Sequence, residues 1–122
     1  MKYAISAVVL YCCCSAGFGA PIKADLECRP AGAGPVYDCM IRLSDSKSRA
    51  PVSDAAFTVS ADMPSMPMTH NLRPVPALPQ RAAGVYRARL ALEMYGKWNV
   101  KLRISSPMQD QITKAYDFFE AP

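Results

Sequence analysis

The sequence predicts an all-β protein: a single β-sandwich of about seven short strands behind an N-terminal export signal. Three observations carry that prediction. After residue 20, apolar and polar residues alternate with period two in nearly every run, the spacing of a strand with one buried face. Turn-forming residues break those runs at short intervals, and the 11 prolines mostly fall between them. Outside the signal, no stretch has convincing helical spacing.

The first residues read as a secretory signal peptide. Lys2 precedes an uncharged apolar run from Tyr3 to Cys14, and small residues dominate from Ser15 to Ala20. Cleavage after Gly19 places Gly17 and Gly19 at the two positions that want small side chains. The expected division is therefore a signal peptide over 1–19 and a β-sandwich domain over 20–122. Cys12, Cys13 and Cys14 fit a lipidation site poorly, because no small residue directly precedes them. An uncleaved signal would instead anchor the domain at the inner membrane, facing the periplasm. The apolar run is shorter than the roughly 20 residues of a spanning helix, which favours cleavage and a periplasmic protein. About one hundred residues then remain, enough for one small domain.

Strands follow in order. Leu26 and Cys28 alternate with Asp25 and Glu27, and the turn-rich run Arg29 to Pro35 comes next. Tyr37, Cys39, Ile41 and Leu43 then alternate with Asp38, Met40 and Arg42, which completes a hairpin. If Cys28 faces Cys39, Leu26 faces Ile41 on the same side. After a polar turn from Ser44 to Pro51, Ala55, Phe57, Val59 and Ala61 mark a third strand. Arg73 to Gly84 holds three more prolines and reads as an irregular crossing loop. Tyr86, Ala88, Leu90, Leu92 and Met94 form the cleanest alternation. It resumes after Tyr95-Gly96 with Trp98, Val100, Leu102 and Ile104. These two strands either pair as a hairpin or cross between facing sheets; the pattern fits both. Ile112, Tyr116 and Phe118 suggest a last strand ending near Phe119.

Charge and cysteine content narrow the function. The formal net charge is +4, with no cluster of lysines and arginines, so nucleic acid is not an expected partner. Arg87, Arg89, Lys101 and Arg103 read as a basic stripe on a solvated face. Of the five cysteines, Cys28 and Cys39 lie beyond the signal. In an exported protein such a pair most simply forms one disulfide, worth about 3 kcal/mol for so short a loop. Their spacing is not that of a zinc site.

The chemistry concentrates in Asp62-Met63-Pro64-Ser65-Met66-Pro67-Met68-Thr69-His70. This run holds three of the seven methionines and the single histidine. Thioether and imidazole donors suit Cu(I), whereas carboxylates and water suit hard ions. Pro64 and Pro67 oppose helix, so the run is expected as an edge strand or extended loop. In an extended chain Met66, Met68 and His70 point to one side. They are the expected ligands, with Met63 and Met94 in reserve. Trp98 is expected as the core aromatic, with the added possibility of covering the ion by a cation–π contact. The competing reading is that the methionines fill an irregular core gap. Catalysis has no comparable support: there is no phosphate loop or paired-carboxylate motif, and the cysteines are expected to be oxidised together. The protein is expected not to be an enzyme.

Gly84-Val85-Tyr86-Arg87-Ala88-Arg89-Leu90, followed by Met94-Tyr95-Gly96-Lys97-Trp98-Asn99-Val100, resembles the pattern of the FixH/YtkA-like family. That family shows Gly-x-Tyr, a strand, then Met-x-Gly-x-Trp and another strand. Its members often carry an upstream Met-Pro-x-Met-x-Met run ending in histidine, matched here by Met63 to His70. The resemblance implies a small immunoglobulin-like sandwich outside the inner membrane and an association with copper handling. The cleavable signal and the Cys28–Cys39 pair depart from FixH proper, which is linked to haem–copper oxidase assembly.

Two functional expectations follow. The first is a periplasmic Cu(I) carrier, buffer or metallochaperone that passes its ion by ligand exchange to a copper-accepting or membrane assembly protein. The second is a metal-free interaction module that docks to such an assembly through the proline-rich edge Asp62 to Pro79.

Overall fold

The structure, a computed structural model, describes residues 21–66 and 70–119. The expected signal peptide lies outside the described residues. Eight strands form: β1 (Ile22–Pro30), β2 (Val36–Asp45), β3 (Ala56–Asp62), β4 (Asn71–Pro76), β5 (Leu78–Pro79), β6 (Val85–Ala91), β7 (Gly96–Ser106) and β8 (Asp110–Phe118). They build two antiparallel sheets of four, in the orders β1-β2-β6-β5 and β4-β3-β7-β8. No helix occurs among the described residues. The architecture is the expected all-β sandwich.

The alternating apolar residues face inward. Ile41, Leu43 and Leu90 of the first sheet and Val59, Trp98, Val100, Leu102 and Ile104 of the second are all but completely buried. Each large side chain of this kind contributes about 1.5–3 kcal/mol on burial. Aromatic contacts tie the sheets together. Phe57 meets Tyr86 edge-on with ring centres 4.8 Å apart, and Tyr37 meets Phe118 at 4.7 Å.

The hairpin β1–β2 has the register that the cysteines imply. Cys28 pairs with Cys39 and Leu26 with Ile41. A disulfide joins the cysteines across a Cα separation of 4.0 Å. Tyr116 of β8 covers this edge, its hydroxyl accepting from the Cys28 N–H at 3.0 Å.

The end of the sandwich that contains the β2–β3 and β5–β6 connections is closed by hydrogen bonds. The buried Tyr86 hydroxyl donates to the Val52 carbonyl at 2.6 Å and accepts from the Ala55 N–H at 3.0 Å. Asp45 Oδ1 accepts from the N–H groups of Lys47 and Ser48, each at 2.9 Å. Those amides, Ser48 first, hold the Asp45 carboxyl below its ordinary pKa. Gly84 has φ +72°, and a Cβ there would stand 2.8 Å from both the Leu43 oxygen and Pro51 Cβ. Only glycine combines that backbone conformation with that approach.

Of the two arrangements the alternation allowed, β6 and β7 take the crossing one, each in a different sheet. Two features differ from the sequence reading. The stretch expected as an irregular crossing loop does cross, but as two short strands. β4 pairs with β3, the Ala77 N–H bonds the Phe57 carbonyl at 3.0 Å, and β5 pairs with β6. The prolines are accommodated because both strands are sheet edges. The basic stripe is divided between opposite faces. Arg87 and Arg89 reach Asp38 at 3.0 and 3.1 Å outside the first sheet, and Lys101 reaches Asp62 at 2.7 Å outside the second. Arg89 first, and Arg87 with it, holds the Asp38 carboxyl below its ordinary pKa.

Candidate metal site

The opposite end of the sandwich gathers the soft donors. β3 ends there at Asp62, β4 begins at Asn71, β6 ends at Ala91 and β7 begins at Gly96. The topology therefore brings the methionine-rich β3–β4 loop beside the β6–β7 turn, although they lie far apart in sequence. Residues 67–69, and with them Met68, lie outside the described residues.

The described part of the loop is a turn, not the extended run expected from its prolines. The Met66 N–H bonds the Met63 carbonyl at 3.0 Å, with Pro64 in the second position of the turn, where a fixed φ is an advantage. The His70 N–H bonds the Met66 carbonyl at 3.0 Å, and the Met63 N–H bonds the His70 carbonyl at 3.1 Å. Backbone hydrogen bonds thus hold Met63, Met66 and His70 together. Alternation along an extended strand is not what does so.

The candidate ligands differ in access. Met63 is 6% exposed and packs with the core, its methyl carbon 3.1 Å from where a Gly96 Cβ would stand. Met66 and Met94 are 40% and 38% exposed. Met94 sits in the β6–β7 turn, and its carbonyl accepts from Trp98 Nε1 at 3.1 Å. Trp98 itself is core, so its indole is sealed from solvent apart from this link to the Met94 backbone.

His70 finds a partner that the sequence reading missed. Its Nδ1 lies 2.5 Å from Glu93 Oε2, with side chains 22% and 55% exposed. Glu93 directly precedes Met94 and falls on the polar side of the alternation that runs from Tyr86 to Met94. Nothing local could have revealed a pairing across 23 positions. A carboxylate only accepts, so Nδ1 carries the proton. Among the described residues Nε2 has no hydrogen-bond partner.

No group of three or more His, Cys, Asp or Glu side chains gathers among the described residues. The donors at this end are thioethers and one imidazole, a set that suits a soft monovalent ion over Ca²⁺ or Mg²⁺. A surface groove of about 980 Å³ lies elsewhere. It runs over the outer face of the first sheet, past Asp25, Glu27, Asp38, Arg42, Arg87 and the half-buried Met40.

No curated protein and no solved structure matches this chain. The model of the YtkA-like family does match, over residues 25–103, a span that takes in the disulfide hairpin, the donor loop and both glycine motifs, and the chain belongs to the YtkA-like family.

Proposed function

We propose that the protein is a periplasmic Cu(I) carrier that holds its cargo at the donor end of the sandwich. Met66, Met94 and His70 are the accessible donors among the described residues, and the sequence adds Met68, two residues before His70. Met63 is the buried reserve. The observation that carries the reading is the convergence of the loop and the β6–β7 turn, which puts a second exposed thioether on the element that touches His70. Exposed thioethers exchange readily, so the ion passes to a partner that offers a better set of ligands. Protonation of an imidazole removes its lone pair, so affinity falls in acid. The Cys28–Cys39 disulfide fits an oxidising compartment outside the cytoplasm.

The test is Cu(I) titration of the purified domain against a competing chelator, followed by the fluorescence of Trp98. One-to-one binding with a change in fluorescence is expected, because Trp98 hydrogen-bonds the Met94 backbone. A Met66→Leu, Met68→Leu double variant keeps the apolar volume and should lose binding. Absence of Cu(I) uptake by the unaltered protein would sink the reading.

A second reading has its own observation. Leu78 of the edge strand β5, within the proline-rich edge that runs from Asp62 to Pro79, is 59% exposed. In this reading the edge docks a membrane assembly partner without metal. Capture of that partner should then survive the double methionine change and be lost in Leu78→Glu.

A further inference from the structure

We infer that Glu93 is a positioning residue: it fixes the tautomer and direction of the His70 ring, so that Nε2 is the nitrogen presented to a metal. The inference rests on the copper reading for what Nε2 binds, but the pairing itself belongs to the protein without metal. Three observations support it. The atom facing the carboxylate is Nδ1, which leaves Nε2 on the far side of the ring, with no hydrogen-bond partner among the described residues. The His70 backbone is held at both its groups, N–H to Met66 and carbonyl to Met63, so the ring starts from a fixed base. Glu93 is held as well, through both its neighbours. The buried Leu92 donates its N–H to the Pro35 carbonyl at 2.9 Å, and the Met94 carbonyl accepts from Trp98 Nε1.

The arrangement is that of a metal-binding imidazole whose other N–H is given to a carboxylate, which sets ring orientation and raises ligand basicity. It also meets the charge requirement of the cargo. Thioethers and a neutral imidazole leave a bound Cu(I) with its full positive charge, and the Glu93 carboxylate offsets that charge without displacing a soft donor. A surface ion pair of no consequence would not need the His70 backbone and both neighbours of Glu93 to be held.

The experiment has two parts. The first is ¹⁵N NMR of the His70 ring in the metal-free protein, at a pH where the imidazole is neutral. The proton should reside on Nδ1, and Glu93→Ala should move the population toward the Nε2–H form. A proton on Nε2 in the unaltered protein, or a tautomer indifferent to Glu93→Ala, would overturn the inference. The second part is Cu(I) competition. Glu93→Ala should weaken binding about 10–100-fold, the range for loss of such a partner. Glu93→Gln keeps an acceptor and should recover part of the loss, and neither change should matter once His70 is alanine. Equal affinity of Glu93→Ala and the unaltered protein would also overturn the inference. If the unaltered protein takes up no Cu(I), the carrier reading fails by itself, and the nitrogen spectra still decide whether Glu93 orients the ring.

Discussion

The two ends of this sandwich are built to different rules. At one end polar groups are spent on closure: the Tyr86 hydroxyl serves two backbone groups, Asp45 caps its own turn, and Gly84 lets two connections touch. At the other end large apolar side chains stay in water. Of the four large hydrophobic residues exposed among the described residues, Met66, Met94 and Phe119 belong to that end. Both ends join the same two sheets, so the fold does not demand the difference. A connection that only has to hold can be sealed, whereas the proposed exchange of a ligand would require donors within reach.

The contrast can be broken from either side, and the largest effect is expected at Gly84. Gly84→Ala forces a side chain into left-handed backbone and into the Leu43 carbonyl, at a cost of about 3 kcal/mol. Denaturant melts should show that loss, while the protein that remains folded should bind Cu(I) unchanged. Tyr86→Phe strands the Val52 carbonyl and the Ala55 N–H, and about 2 kcal/mol should disappear by the same measurement. At the donor end Met94→Leu should move stability by less than about 0.5 kcal/mol, as an exposed apolar exchange does, while weakening Cu(I) binding. An unfolding defect in Met94→Leu comparable to that of Tyr86→Phe would erase the distinction between the ends.

The smallest effect concerns acid. The folded-state pKa of Asp45 is lowered, so its contribution to stability is present above the unfolded carboxylate value and is lost as pH falls through the folded one. The difference in melting temperature between the unaltered protein and Asp45→Asn should therefore hold near neutrality and narrow as pH drops below about 4. A difference that persists unchanged in acid would remove the charge from the explanation.

Much of the scaffold was legible because its physics is local. Period-two alternation located β1, β2, β3, β6, β7 and β8, and two cysteines were enough to set the register of the first hairpin. The strands β4 and β5 were read as loop because proline masks the pattern, and only the vacancy of two sheet edges makes room for it. The turn at Met63–Met66 had a readable signal, proline in its second position, which the expectation of an extended segment overrode. The partnership of His70 with Glu93 had none. It exists only because two connections meet at one end of a two-sheet fold, and nothing in the spacing of either residue points to the other.

The sheet change at Ala77 has a consequence beyond topology. One length of chain, from Asn71 to Pro79, lies along β3 in one sheet and β6 in the other, and it carries Pro74, Pro76 and Pro79. A strand edge offers free amides that another chain can extend into a fibril, and proline supplies none. On the opposite flank the edges β1 and β8 lie against each other, with the Tyr116 hydroxyl taking up the Cys28 amide. The molecule can therefore keep sticky thioethers in solvent at one tip while its flanks resist self-templated aggregation.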